Sequence, residues 1–171
     1  IFMWNLKYGS NIKINDKGGA TSRSFTAPNI FVKYIIRYQK YTVYEREKYL
    51  AGILSKFDWF PKLLYSDDRK QYFIYKNVGV PLNNENKPKD LKKQFDKILA
   101  DMKSVNVEHN DIKISELLVN SSGKLFLCDF GWGSVNNDLG CGVKNMWSCN
   151  NKKKPGGWFD DKITLKRLGL I

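Results

Sequence analysis

Along the first half of the chain the apolar positions follow short, β-like periods. Residues 5–15 alternate weakly and predict a strand, Asp16-Lys17-Gly18-Gly19 a turn, and Ser22 to Phe25 its antiparallel return. Ile30 to Ile36 is the strongest β signal, rich in branched and aromatic residues. The period then changes. Val43, Leu50, Leu54 and Phe57 fall at helical spacing, and Thr42 with Glu45 three residues on reads as a capping box at the helix start. Phe60 to Tyr65 and Gln71 to Tyr75 predict two strands joined by the turn Ser66-Asp67-Asp68-Arg69. A polar connector over 76–86, around Gly79 and Pro81, is the natural boundary.

Beyond it, Leu91, Phe95, Ile98, Leu99, Met102 and Val105 form one apolar stripe of a helix, with Pro88 suited to its first turn. Leu117 to Val119 and Lys124 to Cys128 predict a hairpin around Ser121-Ser122-Gly123. Residues 132–157 are irregular, and a last helix is predicted from Trp158 to Leu168. The order, β-rich with one helix and then mostly helical, is an α+β pattern.

Hydrophobic residues make up 42% of the 171 and aromatics 14%, enough to build a core and to exclude general disorder. No apolar run approaches the ~20 residues of a membrane-spanning helix. The first residues lack the basic, apolar and small-residue regions of an export signal, so a cytoplasmic chain is expected. Cys128, Cys141 and Cys149 with the single His109 cannot supply a four-ligand zinc site in one place. Cys128, in an apolar strand, reads as a buried small hydrophobe in a reducing compartment. The net charge of +12 admits an anionic partner (nucleotide phosphates, an acidic substrate or nucleic acid) or simply a solvated lysine-rich surface. Lys152-Lys153-Lys154 with nearby aromatics would serve nucleic acid, but no nucleic-acid motif accompanies it.

The chemistry is concentrated in His109-Asn110-Asp111-Ile112-Lys113-Ile114-Ser115-Glu116-Leu117-Leu118, followed after the hairpin by Asp129-Phe130-Gly131. These two linked motifs resemble the protein-kinase family, whose catalytic loop reads His-Arg-Asp, four residues, Asn, and whose metal loop reads Asp-Phe-Gly. The resemblance implies a bilobal protein-kinase-like fold. An antiparallel-sheet N-lobe with one helix would occupy residues 1–78, and a truncated, mainly helical C-lobe residues 79–171. By the same resemblance Asp111 would accept or orient the acceptor hydroxyl's hydrogen, and Lys113 would set a cation beside the transferring phosphoryl group. Asp129 would hold Mg²⁺, with Gly131 letting its loop bend. Lys33 looks like the phosphate-binding lysine. Of its two candidate partners, Glu47 shares a helical face with Leu50 and Leu54 and points inward, whereas Glu45 points away. Gly18 and Gly19 would cover the phosphates through backbone N–H groups, and Tyr75 to Gly79 would form the adenine-side hinge. For His109 the resemblance implies a packing role beneath the catalytic loop, with a catalytic base as the alternative.

Four departures qualify the resemblance. Glu116 stands where the family has its second metal-binding Asn; its carboxylate still offers Mg²⁺ or Mn²⁺ an oxygen. Phe31 replaces the small residue over the adenine, and Asn110 replaces the Arg that partners an activation-loop phosphate. Only 40 residues follow Gly131, with no Ala-Pro-Glu motif. Asp160 or Asp161 either braces the catalytic loop or merely suits a helix N-terminus. The expectation is an ATP- and Mg²⁺-dependent phosphotransferase acting on a hydroxyl of a glycan, a small molecule or a protein. The alternative is a pseudokinase that binds nucleotide or a partner without transfer.

Overall fold

The structure, a computed structural model, describes residues 13–15, 22–36 and 40–136, together with Lys166 and Gly169. Strands β1 (Lys13–Asn15), β2 (Ser22–Thr26), β3 (Ile30–Ile35), β4 (Leu63–Asp67) and β5 (Tyr72–Lys76) form one five-stranded sheet in the order β1-β2-β3-β5-β4. Every neighbouring pair is antiparallel. Strand alternation sends Lys33 and Ile35 to the buried face and leaves Tyr34 exposed.

Helix α1 (Lys40–Leu54) follows β3 and lies on the buried side of the sheet. Val43, Tyr44, Leu50 and Leu54 are buried, and the Tyr44 ring stacks on Phe73 of β5 at 4.6 Å. The helix already includes Lys40 and Tyr41, so Thr42 lies inside it and is not its cap. The fourth strand also starts later than its apolar residues suggest. Phe60 leaves the strand path for the core, edge-on to Phe130 at 5.7 Å and to Tyr75 at 6.3 Å. The β4–β5 turn closes where Asp67 Oδ1 accepts the Lys70 amide at 2.7 Å, with Gln71 at φ 56°.

After the connector come β6 (Val80–Pro81), α2 (Leu91–Ser104), β7 (Val107–Glu108), a 3₁₀ turn (Ile114–Glu116), β8 (Leu117–Val119), β9 (Leu125–Leu127) and β10 (Ser134–Val135). The helix buries Leu91, Phe95, Ile98 and Met102, with Leu99 and Val105 packed partly against the core. Pro88 lies just ahead of it, in a turn whose carbonyl accepts the Leu91 amide; Asp90 is the N-cap residue. The β8–β9 hairpin forms over nearly the span read from sequence, and β6 adds to its edge. The connector holds a close approach at Gly79, where a Cβ would lie 2.2 Å from the Val119 carbonyl oxygen. Among the described residues a hydrophobic cluster runs from Ile35 through α1 and α2 to Phe130. The described fold is thus α+β, with an antiparallel sheet and two α-helices preceding Phe130.

The turn at Gly18 and Gly19 and the irregular stretch from 137 onward lie outside the described residues. Of the helix expected over Trp158–Leu168 only Lys166 is described, and it is helical. Among the described residues no helix is long and apolar enough to cross a membrane.

Candidate functional site

The site forms where β3, α1, the loop before the 3₁₀ turn and the end of β9 converge. Lys33 Nζ reaches Glu47 Oε2 on α1 at 2.7 Å and Asp129 Oδ1 beyond β9 at 2.7 Å. Lys33 and Glu47 are nearly inaccessible, whereas the Asp129 side chain is 45% exposed. Burial alone would lower the Lys33 ammonium, but the Asp129 and Glu47 carboxylates outweigh it and hold the group well above the usual lysine range. The same burial lifts the Glu47 carboxyl, against the pull of Lys33, while the Tyr75 hydroxyl donates to Glu47 Oε1 at 3.2 Å. Glu45 is half-buried, on another side of the helix. Phe31 shares the Lys33 face of β3 and is half-buried against the core.

The loop bearing Asp111 is anchored by His109, which is fully buried. Its Nε2 donates to the Cys128 carbonyl at 2.8 Å and its Nδ1 accepts the Asp111 amide at 3.2 Å. Those partners require the neutral Nε2–H tautomer, and the ring sits edge-on to Phe130 at 4.5 Å. Both nitrogens are occupied by backbone, so His109 orders the loop. Asp111 Oδ2 accepts from Lys113 Nζ, whereas Oδ1 is buried without a hydrogen-bond partner. Burial, opposed by Lys113, raises the Asp111 carboxyl above the usual range.

Glu116 ends the 3₁₀ turn, and its backbone carbonyl accepts the Cys128 amide at 3.0 Å and the Cys128 thiol at 3.3 Å. This brings it beside the residue preceding Asp129. Burial pushes its carboxyl up to about 6, although the Ser115 hydroxyl donates to it. Cys128 is half-buried at the strand end rather than sealed inside, and burial pushes its thiol up. Asp129 has the opposite balance to Glu116: burial favours the neutral form, but Lys33 holds the carboxyl below the usual range.

The bend at Asp129-Phe130-Gly131 arises differently from the expectation. Asp129 itself adopts the left-handed conformation, φ 63°, and Gly131 does not. Gly131 supplies room: a Cβ there would lie 3.3 Å from Val43 and 3.4 Å from Asp129 Oδ1. Phe130 is buried in the core.

The structure therefore gathers Lys33, Glu47, Asp129, Asp111, Lys113 and Glu116 around one region, while Gly18 and Gly19 lie outside the described residues. Among the described residues no group of three His, Cys, Asp or Glu side chains is arranged to hold a metal unaided. Lys33 occupies one Asp129 oxygen, and the Asp129 side chain remains open to solvent. Sequence reasoning missed the buried Arg46, whose Nη1 donates to the Gly131 carbonyl at 2.7 Å. Its spacing from Val43 and Leu50, on the apolar stripe, was the available signal.

Over 66 residues the chain is 39% identical to a protein of Candida albicans strain WO-1 described as Extracellular signal-regulated kinase 1. It matches the protein of that description from strain SC5314 / ATCC MYA-2876 equally well. The matches cover 39% of this chain and 12% and 11% of those proteins, so the chain corresponds to a small part of their length. No family model matches the chain. The similarity is partial homology to a protein kinase.

Proposed function

We propose that this chain is a kinase-like phosphotransferase that moves the terminal phosphoryl group of ATP to an acceptor hydroxyl, using Mg²⁺. The observation that carries this reading is Lys33, bridged at 2.7 Å to both Glu47 and Asp129, residues 14 and 96 positions away. A buried cation held by one carboxylate, with a second carboxylate open to the cleft, suits a polyphosphate and its metal. In this reading residues 1–78 form the nucleotide lobe, with Gly18 and Gly19 over the phosphates, and residues 79–171 the catalytic lobe.

Asp129 and Glu116 would hold Mg²⁺, which when bound supplies charge neutralisation at the phosphates. Lys33 binds phosphate oxygens on the sheet side. Asp111 Oδ1, buried and unpartnered, receives the proton of the acceptor hydroxyl as its oxygen bonds to the terminal phosphorus and the bond to the bridging oxygen breaks. Lys113 fixes the other Asp111 oxygen, which leaves Oδ1 without a competing partner. The acceptor is a glycan, a small molecule or a protein hydroxyl.

The test is transfer from labelled ATP to a panel of sugars, small alcohols and proteins, with Mg²⁺ or Mn²⁺, by the parent and by Asp111→Asn. The parent transfers label, and Asp111→Asn loses about 100- to 10,000-fold while keeping nucleotide affinity. Metal-dependent ATP binding with no transfer by the parent to any acceptor would favour a binding role. Near-parental transfer by Asp111→Asn would remove that residue from the mechanism.

A further inference from the structure

We propose that Arg46 and Asn110 are positioning residues, forming a buried clamp that holds the chain after Asp129 and so sets the Asp129 carboxylate for its metal. This rests on the phosphotransferase reading of Asp129. Asp129 stands at φ 63°, a left-handed conformation that Asp adopts more readily than most residues but that its surroundings must still hold in place. Ahead of Asp129, the Cys128 carbonyl is fixed by His109 and the Cys128 amide by Glu116. Behind it, successive carbonyls are taken by side chains from two different elements. Arg46 of α1 donates to the Gly131 carbonyl at 2.7 Å and lies over the Trp132 ring, 5.9 Å from its centre. Asn110 Nδ2 donates to the Trp132 carbonyl at 3.1 Å and to Ser134 Oγ at 3.0 Å.

Arg46, Asn110 and Ser134 are all buried, so none of these bonds has water as an easy substitute. Chain position makes the clamp effective. Arg46 adjoins Glu47, which holds Lys33 against Asp129, so one stretch of α1 grips the Asp129 loop at its carboxylate and two residues later. Asn110 adjoins Asp111, so the loop carrying the proposed base also grips the segment beyond Gly131. Asn110 has φ 67°, a conformation Asn tolerates better than most residues. The pairing of β10 with β7, Ser134 opposite Glu108, continues the anchorage.

The experiment uses Arg46→Met, Arg46→Lys and Asn110→Asp, the last nearly isosteric and tolerant of the same backbone but presenting oxygens to the Trp132 carbonyl. Two readouts are taken: Mg²⁺ dependence of ATP binding and transfer, and amide hydrogen exchange of ligand-free protein at Gly133 and Asn136. In the parent those amides bond to the Phe130 and Asn106 carbonyls. Arg46→Met and Asn110→Asp raise the half-saturating Mg²⁺ concentration about 10- to 100-fold and lower kcat, with affinity for metal-free ATP unchanged. Exchange at the two amides quickens on the order of tenfold while α2 amides keep their protection. Arg46→Lys lies between parent and Arg46→Met, and it carries the test if the larger change prevents folding.

Parental metal curves in folded variants would overturn the positioning role even if exchange quickens, leaving the contacts merely structural. Parental exchange would overturn the clamp itself. A parent that binds no nucleotide and transfers nothing defeats the functional reading, and the exchange measurement then decides the clamp alone.

Discussion

At the scale of single residues, identity matters less than the direction in which the backbone points a charge. Glu45 and Glu47 are the same residue two positions apart, but only Glu47 meets Lys33. Glu47→Ala leaves a buried ammonium with one fewer partner and should cost about 3–5 kcal/mol of stability, together with nucleotide affinity. Glu45→Ala, at a half-buried position, should change stability by no more than about 0.5 kcal/mol. Denaturant unfolding and ATP titration of both variants check this; a larger loss from Glu45→Ala in either measurement contradicts the pairing. Glu116 gives a pH-dependent prediction. Unfolded it titrates at 4.5, whereas in the fold burial lifts it to about 6. Between those values the folded chain holds more of the proton than the unfolded one. Its contribution is therefore full below the lower value and is lost as pH rises through the higher. Glu116→Gln should gain stability relative to the metal-free parent across that interval and keep the gain at neutral pH. Thermal midpoints from about pH 4.5 to 7.5 measure it, and a difference that does not change with pH would show that Glu116 does not titrate there.

At the scale of elements, a glycine's substitution has opposite signs depending on what packs around it. Gly52 is exposed in α1, and a Cβ added there would meet nothing within 4 Å, so Gly52→Ala should stabilise by about 0.5–1 kcal/mol. At Gly133 a Cβ would lie 2.5 Å from Leu50 Cδ1 and 3.2 Å from the Glu108 and Phe130 carbonyl oxygens. Leu50 is fully buried and cannot swing away, so Gly133→Ala should cost about 1–3 kcal/mol. Equal midpoints for the two variants would contradict this packing. The same scale shows which elements the sequence announces. The stripe of α2 and the branched run of β3 carry strong periods and appear in the fold with small shifts. The inward face of α1 was legible too, because Glu47 falls in register with Leu50 and Leu54. Its start was not: Thr42 and Glu45 satisfy the capping pattern, yet the helix runs further back. The two-residue strands β6, β7 and β10 have no period to read, since they exist only through their partners. The contacts of Arg46 and Asn110 escaped, although Arg46 falls on the apolar stripe and Asn110 in the catalytic-loop motif, because their acceptor carbonyls come into place only in the fold.

At the scale of the molecule, Lys33 ties the five-stranded sheet to the end of β9, joining segments 96 residues apart in the chain. Ligands at Asp129 should therefore register as stability of the fold and not of one loop, because a ligand that binds only the folded state stabilises it by mass action. ATP with Mg²⁺ at about 100 times its dissociation constant should add about 2.7 kcal/mol, raising the thermal midpoint of the sheet and of α2 together. Asp129→Ala separates the contributions. It leaves Lys33, held by Glu47, to engage the phosphates but removes the carboxylate open to the metal, so ATP alone should still shift the midpoint. The additional shift from Mg²⁺ should vanish, along with transfer. The +12 charge supplies a competing explanation, since a basic surface binds ATP without any site. Salt distinguishes the two: diffuse attraction fades as ionic strength rises, whereas a partly buried Lys33–Asp129 site is screened much less. A Mg²⁺-dependent shift that survives added salt in the parent and is absent in Asp129→Ala locates the metal at that carboxylate. An equal Mg²⁺-dependent shift in both proteins would place it elsewhere.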